Sequence, residues 1–258
     1  MPTRGAGRTG LVLPALGYGA FKIGRSTGIK YPTPFSLPSD AEAAGILRSA
    51  LEFGLGYIDT APAYGVSEAR IGQTLGARRG EFVLSTKVGE RHENDRSSYD
   101  FAPQAVRRSL SESVARLGGP VDLTFVHADD RDDALAVDGA LIEALEELRR
   151  EGLTRLIGFS GKSATSNRAA LAWADAIMIE YHAALPPTET AQVESTMKDA
   201  SARGVAVVVK KALASGHLDP EVALRFVLAN PHVDCAIVGG LNLRHLARNA
   251  EIAAAARG

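Results

Sequence analysis

Val205-Ala206-Val207-Val208-Val209 is an unbroken apolar run, and it stands between two segments of helical periodicity at 188–203 and 219–229. A strand with one face in water alternates apolar and polar residues, whereas a strand of a parallel sheet is covered on both faces and is apolar throughout. The run therefore predicts a buried parallel strand that is connected to its neighbours by helices.

The same succession of a short apolar strand and a longer helix recurs along the chain. Ser39 and Ser67 stand where two of the helices begin and are predicted to be their N-caps. Eight such units without a Pro-rich or Ser-rich linker predict a single (β/α)8 barrel domain that spans residues 1–258. The predicted strands lie near 13–17 and at 57–59, 82–87, 121–126, 156–159, 176–180, 205–209 and 235–238, and the helices at 38–54, 67–76, 103–117, 138–150, 164–173, 188–203, 219–229 and 243–256.

An open, doubly wound sheet is the alternative architecture for this pattern. That fold needs a glycine-rich, phosphate-binding turn directly after its first strand. The residues at that place are Gly17-Tyr18-Gly19-Ala20-Phe21-Lys22, which do not form such a turn. The barrel is therefore the expected fold.

The composition excludes several classes of protein. With 258 residues, 45% of them hydrophobic and 23% charged, the chain is expected to fold as a globular protein. Its 29 basic and 30 acidic residues leave no positive field for nucleic acid or an anionic membrane. Cys235 is the single cysteine, which excludes an internal disulfide, and the histidines show no metal-ligand spacing, so no metal site is expected.

Long apolar runs of the kind found in signal peptides and membrane spans are missing from the sequence. A chain of this length also buries enough surface to fold without a disulfide or a metal. We therefore expect a cytoplasmic enzyme, a monomer or a small homo-oligomer, that acts on a small molecule and binds neither nucleic acid nor membrane.

Four ionisable residues follow the second, third and fourth predicted strands. In a (β/α)8 barrel such positions face the C-terminal mouth, where the catalytic groups of this fold lie. The four are Asp59, Tyr64, Lys87 and His127. Each alone is compatible with a structural role, but their coincidence at matching strand ends predicts an active site.

The chemistry of this set suits proton transfer to a carbonyl oxygen. A tyrosine hydroxyl, with a pKa of about 10, is a weak acid at neutral pH, and we expect the ammonium of Lys87 to lower the pKa of Tyr64. Asp59 is expected to keep Lys87 charged and in place, and a neutral His127 to donate a hydrogen bond to the substrate oxygen. The set then lacks only a source of hydride.

The longest segment without periodicity is 22–38, directly after the first strand. In a barrel this segment lies over the active face, where long loops are commonly functional. The alternative interpretation is a surface excursion with no role in the site.

Five sequence motifs coincide with the strand ends and continue to the last helix. They are Tyr57-Ile58-Asp59-Thr60-Ala61-Pro62-Ala63-Tyr64-Gly65-Val66-Ser67-Glu68, Ser85-Thr86-Lys87-Val88, Asp122-Leu123 followed by His127, Ile157-Gly158-Phe159-Ser160, and Ile237-Val238-Gly239 through His245-Leu246-Ala247-Arg248-Asn249. In this order they strongly resemble the signature of the aldo-keto reductase superfamily, and the Ala61–Tyr64 variant looks closest to its bacterial sugar and aldehyde dehydrogenases. The resemblance implies NAD(P)H-dependent carbonyl reduction on a barrel, with Asp59, Tyr64, Lys87 and His127 as the catalytic tetrad.

The resemblance also implies cofactor positions, some of which depart from the family pattern. Gly161 and Met178 stand where the family usually has an Asn and a Gln that hold the nicotinamide, and Lys210 stands where an aromatic ring often stacks on it. Ser160 corresponds to the residue that binds the carboxamide. The implied cofactor-binding set is Gly19, Ala20, Ser160, Met178, Lys210, Lys211, Leu213, Ser215, Gly216, Gly239, Gly240, Asn242, His245 and Asn249, with Phe21 as a wall of the substrate pocket.

Within that set, the residues from 211 to 216 suit a pyrophosphate, although a plain basic loop is the alternative. Arg244 or His245 lies where a cation would meet a 2′-phosphate, and Asn249 where the adenine would lie. The cations favour NADPH over NADH, with NADH left open.

Two other functions are compatible with the same residues. Lys210 or Lys87 could form a Schiff base with a carbonyl substrate, as in aldolases. A module that binds the cofactor and senses redox state, with little turnover, is the other alternative. Larger family members carry a C-terminal loop over the pocket; because this sequence ends at Gly258 after the last helix, we expect an open site with loose substrate selectivity.

Overall fold

The computed structural model describes residues 1–29 and 31–257 and contains a closed barrel of eight parallel strands. In chain order, the strands of the described residues are β1 (Thr3–Gly5), β2 (Val12–Pro14), β3 (Leu16–Gly19), β4 (Tyr57–Asp59), β5 (Val83–Val88), β6 (Glu90–Glu93), β7 (Arg96–Tyr99), β8 (Val121–His127), β9 (Thr154–Ser160), β10 (Ala176–Glu180), β11 (Ala206–Lys210) and β12 (Cys235–Val238). The barrel consists of β3, β4, β5 and β8 to β12, and β12 pairs with β3 to close it. Lys30, in the predicted loop 22–38, and Gly258, in the predicted domain 1–258, lie outside the described residues.

Helices follow the barrel strands, as expected for this fold. Within the described ranges they are α1 (Asp40–Glu52), α2 (Ser67–Leu75), α3 (Pro103–Leu117), α4 (Asp132–Leu135), α5 (Gly139–Arg150), α6 (Ala164–Ala170), α7 (Pro187–Ala202), α8 (Pro220–Ala229) and α9 (Leu243–Arg257). The prediction of a (β/α)8 barrel is confirmed, and the helix α4 was not predicted because four residues are too short to show a period. None of these helices is long and apolar enough to cross a membrane.

The strands are apolar throughout because both faces of the sheet are covered. In β11, Ala206 and Val208 belong to a cluster inside the barrel, whereas Val207 and Val209 pack in the larger cluster between the strands and the helices. This is the alternation that the run at 205–209 conceals, since both of its faces are buried.

Two antiparallel hairpins, β1–β2 and β6–β7, were missed by the sequence pattern. The first hairpin packs Leu11 and Leu13 against the cluster inside the barrel, so the predicted opening strand at 13–17 is divided between β2 and the barrel strand β3. The second hairpin follows β5 at the C-terminal mouth. Strands of three or four residues with exposed faces leave too little alternation to be recognised.

The two predicted N-caps have different outcomes. Ser39 caps α1 in a capping box, in which its hydroxyl accepts from the Glu42 backbone and the Glu42 carboxylate accepts from the Ser39 backbone. The prediction for Ser67 is wrong, because the N-cap of α2 is Val66 and Ser67 is the first helical residue. The Ser67 hydroxyl instead donates to the carbonyl of Ala20 at 3.0 Å, which joins α2 to the end of β3.

Candidate active site

A cavity of about 490 Å³ opens at the C-terminal ends of the barrel strands. It brings together all four residues of the predicted tetrad and most of the predicted cofactor positions. From the predicted set, its lining includes Gly19, Phe21, Asp59, Tyr64, Lys87, His127, Ser160, Met178, Lys210, Lys211, Leu213, Ser215, Gly216 and Gly239.

Lys87 and Asp59 form a buried ion pair at the base of the cavity. The Lys87 Nζ lies 2.6 Å from Asp59 Oδ2 and donates to the Thr60 carbonyl at 2.8 Å. The side chains of the pair are only 2% and 5% exposed, so they are shielded from water. Burial by itself lowers the pKa of Lys87, but the charge of Asp59 and hydrogen bonds to Asp59 and Tyr64 outweigh it and raise the pKa. Lys87 therefore stays an ammonium, as the sequence predicted.

A chain of hydroxyl groups fixes the carboxylate of this pair. Ser85 donates to Asp59 Oδ1 at 2.7 Å, and the phenol of Tyr57 donates to the Ser85 hydroxyl at 2.8 Å. Ser85 lies in β5 and Tyr57 lies in β4, and these two strands are neighbours in the barrel. Both oxygens of Asp59 are thus satisfied, and the carboxylate cannot turn away from Lys87.

Tyr64 lies beside Lys87 at the end of a short 3-10 helix, Pro62–Tyr64. The Lys87 Nζ is 4.7 Å from the centre of the Tyr64 ring, and the ring of Phe21 packs edge-on at 5.2 Å. Lys87 lowers the pKa of this phenol, as expected, but it does not decide the net direction of the shift. Burial raises the pKa of Tyr64, and the charge of Lys87 only partly offsets that rise. Tyr64 is therefore a protonated phenol at neutral pH.

His127 ends β8 and faces a carboxylate that sequence reasoning missed. Its Nδ1 lies 2.9 Å from Oε2 of Glu90, which is the first residue of the hairpin β6–β7. The two atoms are within ion-pair distance, but the contact does not have the geometry of a hydrogen bond. Burial lowers the pKa of His127 despite this partner, and the ring is neutral at pH 7.

Lys210 enters the cavity where the resemblance placed an aromatic ring. Its Nζ donates to the Ser160 hydroxyl at 3.0 Å and to the Gly161 carbonyl at 2.7 Å. Among the described residues no carboxylate lies within 4 Å of it. Burial, and then the charge of Lys211, lower the pKa of Lys210 to about 7. Lys210 is therefore only partly protonated at neutral pH, whereas Lys87 is protonated.

The loop after β11 has a strained backbone. Lys211, Ala214 and Ser215 have φ values of +56°, +46° and +58°, which L-residues seldom adopt. Such strain collects at functional segments, because the surrounding structure must hold it in place. Lys211 is ion-paired with Glu180 and lines the cavity.

Two glycines beside this loop stand where a side chain is disfavoured. Gly216 has a φ of +91°, and a Cβ at Gly239 would come within 3.0 Å of the Gly19 carbonyl. Both glycines line the cavity, one in the loop after β11 and the other in the loop after β12. The phosphates of a dinucleotide need such positions, where they can approach the backbone closely.

The segment 22–38 lies over the mouth, as expected from its place in the chain. Arg25, Ile29 and Tyr31 line the cavity, and the ammonium of Lys22 lies 3.9 Å from the centre of the Tyr31 ring. The described part of the segment up to Tyr31 therefore belongs to the cavity wall, whereas residues 32–38 do not line the cavity.

Five predicted cofactor residues do not line the cavity. Asn242 Oδ1 accepts from the backbone of Arg244 and His245, so its side chain caps the start of α9. Ala20 is buried below the mouth, where its carbonyl accepts from Ser67. The five are Ala20, Gly240, Asn242, His245 and Asn249.

The comparisons with known proteins agree with this geometry. The family model described as the aldo/keto reductase family matches residues 15–221, which is most of the barrel. The chain belongs to the aldo-keto reductase family. Its active-site cavity is therefore that of an oxidoreductase family that interconverts carbonyl compounds and alcohols and uses nicotinamide cofactors.

Individual relatives match between 61% and 99% of this chain. The D-threo-aldose 1-dehydrogenase of a Pseudomonas species is 30% identical, with 96% of this chain and 92% of that protein covered. The L-galactose dehydrogenase of Arabidopsis thaliana is 32% identical over 61% of this chain and 48% of that protein. A solved structure from Pseudomonas aeruginosa, assigned to the aldo-keto reductases, is 35% identical, covers 99% of this chain and 95% of that chain, and superposes with a TM-score of 0.89.

Proposed function

We propose that this protein is an NAD(P)-dependent reductase or dehydrogenase that interconverts a small aldehyde or ketone, or a sugar, and the corresponding alcohol. The observation that carries the proposal is the buried Asp59–Lys87 pair set against the phenol of Tyr64 in one cavity. The bound nicotinamide supplies the hydride in the reductive direction and accepts it in the oxidative one. We place the enzyme in the cytoplasm, as a monomer or a small homo-oligomer.

The protein's own residues handle the proton. In reduction, Tyr64 releases its proton to the oxygen of the former carbonyl, and the fixed ammonium of Lys87 stabilises the phenolate that forms. The phenol is protonated beforehand because burial raises its pKa, so it is ready as a donor. In oxidation, Tyr64 first loses its proton to solvent, and the phenolate beside Lys87 then takes the proton of the substrate hydroxyl.

The cofactor is proposed to lie between the loops after β11 and β12. Ser160 and Lys210 stand beside the tetrad and suit the polar end of a nicotinamide, while the part of the cavity at Gly216 and Gly239 suits the pyrophosphate. The names of the relatives, an aldose dehydrogenase and a galactose dehydrogenase, favour a polyhydroxylated substrate.

Arg244 is expected to decide the preference for NADPH. Its side chain is exposed at the start of α9 and has no ion pair among the described residues, so it is available to a 2′-phosphate. Arg244→Ala should weaken NADPH binding about tenfold and leave NADH binding unchanged, which fluorescence titration measures. Arg248→Ala is the matched control, because Arg248 is already paired with Glu221 and Glu251. Equal losses for the two cofactors would contradict the assignment.

Lys210 favours one second candidate function, a Schiff base with a carbonyl compound. Lys87 is excluded from that role because its ion pair keeps it protonated, whereas an amine with a pKa of about 7 is a nucleophile at neutral pH. Nothing in the described site favours the alternative of a redox-sensing module over an enzyme.

Reductive trapping separates the two enzyme proposals. We expect a small aldehyde and cyanoborohydride to modify Lys210 in the cofactor-free protein, faster at pH 8 than at pH 6 because deprotonation increases through a pKa of about 7. Saturating NADPH should suppress the labelling, as read by peptide mass spectrometry, with Lys210→Met as the control. Turnover of the carbonyl compound without any nicotinamide would instead support the Schiff-base function.

A further inference from the structure

Lys210 brings an amine without a carboxylate partner into the active-site cavity. Its Nζ donates to the Ser160 hydroxyl at 3.0 Å and to the Gly161 carbonyl at 2.7 Å, and both of these acceptors are uncharged. Glu180 is its register partner on β10, but the Glu180 carboxylate forms an ion pair with Lys211 instead. The charge of a protonated Lys210 is therefore not neutralised by a direct contact.

The charged groups around Lys210 cancel in pairs and leave this amine over. The titratable groups that face it are Lys211 in its own loop, Glu180 from β10, Lys87 from β5, Asp59 from β4 and His127 from β8. Lys211 is paired with Glu180, and Lys87 is paired with Asp59 at 2.6 Å. Burial lowers the pKa of His127, so its ring is neutral at pH 7. Within this group, the charge of Lys210 is the one that nothing offsets.

Lys210 can lose its proton without losing a hydrogen bond. An ammonium has three N–H groups and a neutral amine has two, and the surroundings offer two acceptors, the Ser160 hydroxyl and the Gly161 carbonyl. Burial, and then the charge of Lys211, lower the pKa of Lys210 to about 7. Both forms of the side chain therefore fit the same position, and a change of charge in the cavity decides between them.

The two redox states of a nicotinamide cofactor differ by one positive charge, which only the oxidised ring carries. Lys210 lines the same cavity as Tyr64, where a substrate has to exchange its hydride with that ring. A protonated Lys210 repels the positive ring of the oxidised cofactor and does not repel the neutral ring of the reduced one. The repulsion acts in full, because no carboxylate offsets the charge of this lysine.

We propose that Lys210 makes the site distinguish the two redox states of the cofactor: its ammonium tolerates the reduced nicotinamide, but it has to release one proton to solvent before the oxidised nicotinamide is bound. The binding of this proton and the binding of NADP+ then oppose each other by the same factor, as linkage requires. Low pH favours the binding of NADPH and the release of NADP+, so the site suits reduction at neutral and acidic pH. The inference rests on the proposed oxidoreductase function, which places a nicotinamide beside Lys210.

Isothermal titration calorimetry with NADPH and with NADP+ tests the proposal without any substrate. We expect the ratio of the dissociation constants, NADP+ over NADPH, to rise about tenfold from pH 8 to pH 6, as for a ligand that binds only the neutral form of a group with a pKa of about 7. The ratio cancels the titration of the 2′-phosphate, which both cofactors carry. At pH 6, buffers of different ionisation enthalpy should report nearly one more proton released with NADP+ than with NADPH.

Two substitutions of Lys210 should change the ratio in opposite ways. Lys210→Met removes the charge, so the ratio should be the same at pH 6 and pH 8 and should resemble that of the wild type at pH 8. Lys210→Arg keeps a charge at every pH, so even at pH 8 the ratio should resemble that of the wild type at pH 6. Lys198→Met, at an exposed position on α7, should keep the pH dependence of the wild type.

The outcomes separate this inference from the proposed function. A wild-type ratio that stays constant with pH overturns the role of Lys210 and leaves the oxidoreductase function standing. A pH dependence that persists in Lys210→Met also overturns it, because another group then releases the proton. If neither NADPH nor NADP+ binds at any pH, the proposed function and this inference fail together. Should Lys210→Met fail to fold, the wild-type ratio, its proton count and Lys210→Arg still decide.

Discussion

Tyr64→Phe is expected to lower kcat by about 10²–10⁴-fold, the usual contribution of a general acid or base. The substitution removes one oxygen atom from a half-buried ring that packs against Phe21 and lies beside Lys87, so the shape of the site stays the same. Cofactor binding should persist, because nothing else of the site changes. A panel of carbonyl compounds with NADPH measures the loss, and fluorescence titration shows whether the cofactor still binds.

A matched control removes a phenol hydroxyl elsewhere. Tyr181 is buried, its hydroxyl donates to Glu194, and it does not line the active-site cavity, so Tyr181→Phe should keep its activity. Equal rates for wild type and Tyr64→Phe would remove Tyr64 from its assigned role. Because burial raises the pKa of Tyr64 above its ordinary value, this phenol does not titrate near neutral pH. The pH profile of kcat/KM for reduction should therefore show no change in that range that is due to Tyr64.

Lys87→Met and Asp59→Asn should each lower the free energy of unfolding by about 3–5 kcal/mol, because each leaves the partner charge buried and unpaired. The side chains are almost fully enclosed and lie 2.6 Å apart, so water cannot replace the lost partner. Chemical denaturation measures the stability. Each variant should also lose activity, since Tyr64 then lacks the fixed ammonium that stabilises its phenolate.

The double variant Asp59→Asn/Lys87→Met separates stability from catalysis. It removes both charges, so much of the lost stability should return, while the activity should not. Losses of stability that simply add in the double variant would show that the two groups do not act as a pair. Recovery of activity together with stability would show that the ion pair only supports the fold.

Much of the barrel could be predicted from local sequence. Runs such as Val205–Val209 are apolar on both faces, and helices such as α3 carry a regular apolar stripe, so both signals are contained in the segment itself. The two hairpins escaped because strands of three or four residues carry too little pattern. The place of segment 22–38 followed from the fold, since a loop after a barrel strand lies at the mouth.

Within the site, the sequence predicted the four candidate residues that the cavity brings together, but it did not predict their electrostatics. The positions of Asp59, Lys87 and His127 could be predicted because they lie at strand ends. The pairing of Lys87 with Asp59 could be predicted from their opposite charges. The direction of the pKa of Tyr64 did not, because it depends on how completely the ring is buried, which is a sum over residues far apart in the chain. Ala20, Asn242, His245 and Asn249 are absent from the cavity lining for a similar reason, since packing and capping direct them elsewhere.

The sequence by itself determined the barrel, the family and the four residues at the strand ends, because apolar periodicity and short motifs are local properties of the chain. The tertiary structure alone decided that Glu90 faces His127, that Lys210 bonds to Ser160 across the mouth and that Tyr64 keeps its proton. Such contacts join residues from separate loops and strands. Their energies depend on distance and on the exclusion of water, which exist only once the chain has closed into the barrel.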